Sequence, residues 1–310
     1  MNTKSILLHT LIACTATSSA FSSPLGKVYA FFGANVYQQA INTEYELDNP
    51  AVLTIENLQG TINIAAQTDK KKVLVSAVKK AHDEKTLPLI HIKGTITHEN
   101  NTNHLTLRTQ FDKDASGEID YSLIVPKGTT LQLSTGQGNI TIGQADGPIS
   151  VTTDSGCITI TKAGSTVKAQ TEKGAISISD VAGNVTATTV HGNITIDGSK
   201  KSVIAQTEKG EIEMHCAKLP ATARIQLSSN SGNVKLTLPE TVNAAIFGQT
   251  GKGTLISDAF IDIKPRTTKL DKNAWKQFQR EVEGTLGTGE AEIKVTTARG
   301  NIKIAQTKAA

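Results

Sequence analysis

The residues best suited to chemistry in this chain are Asp112, Asp114, Ser116 and Asp120. Oxygen-bearing side chains alternate there, and Gly117 follows where a tight turn needs it, which is the spacing that begins a calcium loop. A bidentate glutamate should close such a loop, but Leu123 stands at that position. Calcium would then need a carboxylate from elsewhere in the fold. The same Asp, Ser and Gly residues equally suit a polar hairpin turn. His98 and His104 flank a short polar stretch, with His91 nearby. Two imidazoles can share zinc, but a stable site takes three or four ligands.

Glycan cleavage would need paired carboxylates at a suitable separation on one face. Glu211 and Glu213 are neighbours on a single strand-like segment, and Asp154, Glu172 and Glu208 lie beside Lys173 and Lys209. That mixture fits a solvated charged edge that discourages sheet pairing. No Ser/His/Asp or Cys/His set stands out. The stretch Gly248 to Thr254 only imitates a phosphate loop, because Lys252 is followed by Gly253. The sequence therefore nominates no catalytic residue and no cofactor-binding residue, and calcium is the one ligand with a candidate loop. Thr141, Thr159, Ser177 and Thr195 form a hydroxyl row, which ordinary β-propensity explains.

The elements that must position these groups follow a repeat. Gly138, Gly156, Gly174, Gly192 and Gly210 recur every 18 residues. Each sits in one frame, apolar-x-apolar-x-Thr-x-x-Gly-x-apolar-x-apolar. A fixed period of this size marks a repeat architecture. Apolar residues alternate on both sides of the glycine, as in Val167, Ala169 and then Ile176, Ile178. Alternation is strand periodicity and excludes a helix. Gly60, Gly232, Gly253 and Gly300 carry the same frame with looser spacing. Like residues then stack on like, rung over rung. The expected fold is all-β: a single-stranded parallel β-solenoid, β-helix-like, with 18-residue rungs in the centre and wider rungs at both ends. The threonine column, Thr135 to Thr207, suggests a hydroxyl ladder inside the glycine corner.

Residues 1–20 read as a secretory signal peptide: Lys4, an apolar stretch, then Ser18, Ser19 and Ala20. The alternative is a lipobox ending at Cys14, which would anchor the chain to lipid. Residues 21–44 read as a linker and 45–310 as the solenoid. Within it, 45–130 form irregular rungs, 131–215 the strict repeats and 216–310 looser rungs. Asp271 offers a helix N-cap, followed by Trp275, Phe278 and Val282 at helical spacing. A net charge of +4 with both signs interspersed is no nucleic-acid footprint. No segment after the leader is long and apolar enough to cross a membrane. Cys157 and Cys216 lie more than three repeats apart, beyond disulfide reach.

The chain resembles the bacterial putative-adhesin β-strand-repeat family from about Tyr45 to Ala305. The resemblance rests on the turn from Asn57 to Ile64, on Asp120 to Pro126, on the Thr-x-x-Gly repeats and on the closing run from Gly287 to Ile304. It implies a right-handed β-helix-like fold and a cell-envelope setting, and it brings no catalytic residues. The expected function is a non-catalytic, monomeric binding or scaffolding module, exported to the periplasm, outer membrane or cell surface. Its expected partner is a glycan, a cell-wall polymer or an envelope protein. A polysaccharide-acting β-helix enzyme and an envelope-stress signalling accessory protein are the alternatives.

Overall fold

The computed structural model describes residues 21–22, 26–29, 35–47, 51–68, 71–259, 261–263 and 280–307. Two long sheets face each other, one of 14 strands and one of 13. Each repeat gives one strand to each sheet and bends at its glycine. In the 13-stranded sheet Leu131 pairs with Ile149, Ile149 with Val167, Val167 with Val185 and Val185 with Val203, all in parallel. Ile140, Ile158, Ile176 and Ile194 pair likewise in the 14-stranded sheet. The period of two puts these apolar side chains inward. Ile158, Ile176, Val185 and Ala187 are all essentially inaccessible to solvent. Isoleucine columns opposite alanine columns let a thin coil close without voids.

The corners explain the glycine. A Cβ on Gly174 would lie 2.0 Å from the carbonyl oxygen of Gly156 in the rung below. No side chain fits, so the backbones stack in direct contact there.

The ends depart from sequence order. The strand pair Ala51–Gln59 and Ile62–Thr68 stacks on the Leu131 and Ile140 strands, skipping the segment between them. The skipped segment returns outside it, as Thr102–Phe111 and Glu118–Pro126. At the other end, Ala291–Arg299 pairs with Arg224–Ser231 on one side and with Ala244–Lys252 on the other. The last repeat in sequence is thus an inner rung, and the Gly253 repeat lies outside it.

Among the described residues, antiparallel strands finish both sheets at the N-terminal end and the 13-stranded sheet at the C-terminal end. Lys72–Ala81 pairs with Glu118–Pro126, Ile90–Glu99 with Thr102–Phe111, and Glu281–Leu286 with Ala244–Lys252. A solenoid end exposes free backbone groups, and reversed strands cover them.

Two expectations change here. Within the expected linker 21–44, Asn35–Glu46 is a strand paired with Lys72–Ala81, and Phe21–Ser22 and Gly26–Tyr29 pair with it in turn. Ile41, Thr43 and Tyr45 alternate with the more exposed Asn42, Glu44 and Glu46, so the segment caps a sheet edge. Val282, expected on a helix, lies buried in the strand Glu281–Leu286. Its pairing with Gly248 replaces helical contacts. Residues 1–20, with Cys14, and the Asp271, Trp275 and Phe278 segment lie outside the described residues. Cys157 and Cys216 are free, the first exposed and the second buried.

Candidate functional site

The repeat threonines do not form a ladder among themselves. Each donates its hydroxyl to the carbonyl of the glycine one rung away: Thr153 to Gly138, Thr171 to Gly156 and Thr189 to Gly174, each at 3.1 Å. The corner bends the chain and leaves that carbonyl facing the interior. A buried acceptor must be satisfied, and the inward hydroxyl is the group within reach. Asn57 takes the threonine position at the N-terminal end. Its Nδ2 donates to the Ile119 carbonyl at 2.9 Å and to that of Gly60 at 3.1 Å. Its Oδ1 accepts from Thr109 at 2.8 Å. The Thr109 hydrogen is therefore committed, so the Tyr121 hydroxyl, 3.0 Å away, donates to Thr109. Burial pushes the Tyr121 phenol up to about 12.

A second corner device was not read from the sequence. The residue after the glycine can accept the backbone N–H one rung on. Asn139 does so for Cys157 at 2.8 Å, Asn193 for Glu211 at 2.9 Å and Asn301 for Thr254 at 2.9 Å. The recurring Gly-Asn pairs at 138, 192, 232 and 300 were its signal.

Asp120 belongs to this device. Its Oδ1 accepts from the Thr61 N–H and the Thr61 hydroxyl, each at 2.8 Å, and Lys80 pairs with its other oxygen. Burial opposes ionisation there, but Lys80 and the Thr61 bonds outweigh it and hold the carboxyl below its usual value. Asp112 pairs instead with His91 at 3.1 Å. Asp114 takes a turn conformation with φ of +66°, and Ser116 is exposed. The loop therefore spreads its oxygens among separate partners. His98 contacts Asn103 at 3.0 Å rather than a second histidine. Among the described residues, no three His, Cys, Asp or Glu side chains are grouped to hold a metal ion.

The neighbouring carboxylates Glu211 and Glu213 are likewise occupied singly. Glu213 pairs with Lys235 at 2.6 Å, and Glu211 accepts from Asn233 at 2.8 Å. Arg108 grips Glu56 at the N-terminal end, with Nε and Nη2 donating at 2.6 and 2.9 Å.

Among the described residues, one feature with room for a ligand is an open trough of about 760 Å³ on the outer face of the 13-stranded sheet. Its floor is one register row: Thr188, Gln206, Ser228, Thr296 and Gln249, in spatial order. Thr296 donates to Ser228 on the adjacent rung at 3.2 Å, and the amide of Gln249 donates to Glu281 at 3.3 Å. The row exists only because Ala291–Arg299 is inserted between the neighbouring strands. Beside it, Gly251 and Ala298 keep the wall low. Phe247 and Lys294 stand on the other side, the ammonium 5.9 Å from the ring centre.

The Toastrack DUF4097 family model matches residues 51–305, nearly the same span as the resemblance read from the sequence. No curated protein matches. Among solved structures, a putative adhesin from Bacteroides fragilis is 12% identical, with 86% of this chain and 97% of that chain covered, at a TM-score of 0.44. A putative cell adhesion protein from Clostridium sporogenes is 11% identical, with 86% and 99% covered, at a TM-score of 0.24.

Proposed function

From the premise that the chain belongs to the Toastrack DUF4097 family, we propose a non-catalytic cell-envelope binding module that holds a surface polymer along the trough. The observation that carries this reading is the trough floor, a row of hydroxyls and amides drawn from five adjacent rungs. Such groups read sugar hydroxyls by hydrogen bonding. A parallel sheet fixes them at about 4.8 Å intervals, so little ordering cost falls on binding. The repeated inward positions are taken up by stacking, and the outward carboxylates Glu211 and Glu213 by neighbouring side chains. In this reading the coil is right-handed with 18-residue central rungs, and the mature chain works outside the cytoplasm.

A glycan-array screen with the full chain, paired with a lyase and hydrolase panel, tests the proposal. Retention of glycans without turnover is the expected result. Turnover of any polysaccharide would overturn the non-catalytic reading.

A further inference from the structure

The two sheets end on unequal edges. Among the described residues, the 14-stranded sheet ends at Leu255–Ser257 on one side and at Phe21–Ser22 and Gly26–Tyr29 on the other, strands of two to four residues. The 13-stranded sheet ends at Asp262–Ile263, of two residues, and at Ile90–Glu99, of ten. A short edge strand keeps a sheet from recruiting another chain, because few backbone groups are left to pair. Ile90–Glu99 lacks that protection. Thr102–Phe111 pairs with one side of it, and among the described residues no strand takes the other.

The side chains of this edge are also unfinished. Ile92 and Ile96 pack against the core yet stay half-buried, since the layer stops beside them. Lys93 and Glu99 are exposed on the opposite face, and neither has an ion pair among the described residues. A lysine on an edge ordinarily discourages pairing. Here the same strand carries the opposite charge six residues on, so an antiparallel copy can answer it.

We propose that Ile90–Glu99 pairs antiparallel with the same strand of a second copy, about a twofold axis at Ile96. This register sets Lys93 opposite Glu99 and Thr95 opposite Thr97, each twice by symmetry, and Ile96 opposite itself. Cross-strand pairs of these kinds favour association. Moving the register by one pair in one direction sets Lys93 against Thr97 and Glu99 against His91, which already holds Asp112. Moving it in the other sets Glu99 against Thr95 and carries Lys93 past the strand end to Asn101. The Ile96 register also confines pairing to residues 93–99, clear of the helical turn Glu84–Leu89 that leads into the strand. The 13-stranded sheets of the two copies then run on as one. Because the twofold axis is perpendicular to the sheet, the outer faces stay on the same side, and the dimer presents two troughs to one surface.

Sedimentation of the full chain from micromolar to millimolar concentration tests this, with hydrogen exchange at both extremes. A reversible dimer is expected, with amides in residues 93–99 gaining protection as it forms. Lys93→Glu alone and Glu99→Lys alone each place like charges opposite one another twice and should weaken the dimer about tenfold. The exchanged pair Lys93→Glu/Glu99→Lys should restore it, which no loss of folding could mimic. A monomer at every concentration overturns the proposal. So does a dimer that is indifferent to the single charge reversals, or one that the exchanged pair fails to restore.

Discussion

Thr250 donates its hydroxyl to the carbonyl of Gly300 at 2.7 Å, although the two lie 50 residues apart in sequence. Thr297 in turn donates to Gly232 at 2.9 Å. The final repeat is thus an internal rung that the Gly253 repeat must stack upon. Deleting residues 291–310 is expected to do more than remove a terminal cap. It strips Ala244–Lys252 of its parallel partner and removes Thr296 from between Ser228 and Gln249 in the trough floor. Hydrogen exchange should show residues 244–257 losing protection along with the deleted strand's inner neighbour. Protection retained at 244–257 would contradict the observed order.

The threonine-to-glycine bond predicts a sharp contrast between two threonines of one rung. Thr153→Val leaves the Gly138 carbonyl unsatisfied in the interior and should cost about 1–3 kcal/mol. Thr159→Val, on the exposed face, should fall within about 0.5 kcal/mol of the parent. Urea denaturation midpoints measure both. Equal effects would show that β-propensity rather than the carbonyl bond selects threonine inside.

Close backbone stacking predicts an ordering among glycines. Gly174→Ala places a methyl 2.0 Å from the Gly156 carbonyl oxygen and should cost more than about 3 kcal/mol. Gly128 has φ of +76° but open space around it. Gly128→Ala should cost only the left-handed penalty, about 1 kcal/mol. A mild Gly174→Ala would mean the corners relax apart easily.

Tyr121 gives the fold an alkaline limit. Its folded pKa, raised to about 12 by burial, lies above the ordinary phenol value of 10.0. The neutral phenol is the form the fold prefers, so its contribution is complete below pH 10 and disappears as pH rises through about 12. At roughly 1.4 kcal/mol per unit, this amounts to about 2–3 kcal/mol. Stability measured against pH should fall across that window, and Tyr121→Phe should flatten the fall. A parallel fall in both proteins would assign it to other groups.

Asp120 makes calcium a discriminating reagent. Its oxygens already serve Thr61 and Lys80. Millimolar calcium, the range at which extracellular sites work, is therefore expected to leave the melting temperature unchanged. A rise abolished by Asp120→Asn would show that calcium displaces Lys80 from this carboxylate.

The central fold was legible because its information is local. Alternation at Val167, Ala169, Ile176 and Ile178 fixes which side chains face inward, and a one-residue slip would turn all of them out. The glycine corner was legible for the same reason. Its two satisfying bonds were only half visible. Thr171 was seen as part of a column, but its acceptor, the Gly156 carbonyl, is a backbone group whose direction emerges only from the bend. Asp112 and Asp120 looked like ligands of one ion because sequence spacing cannot show that Lys80 and His91 reach them first.

By itself, the sequence determined the strands, the corner glycines, the inward columns and the parallel stacking of the central rungs. Alternation and close backbone approach are requirements that each rung states for itself. The tertiary structure alone decided the order of rungs at the ends. Every rung offers the same corner carbonyl, the same hydroxyl and the same edge, so Gly232 accepts Thr297 as readily as it would Thr250. The choice falls to non-local pairings, such as Glu281–Leu286 against Ala244–Lys252. That choice brings Ser228, Thr296 and Gln249 side by side, and with them Arg299 and Lys252.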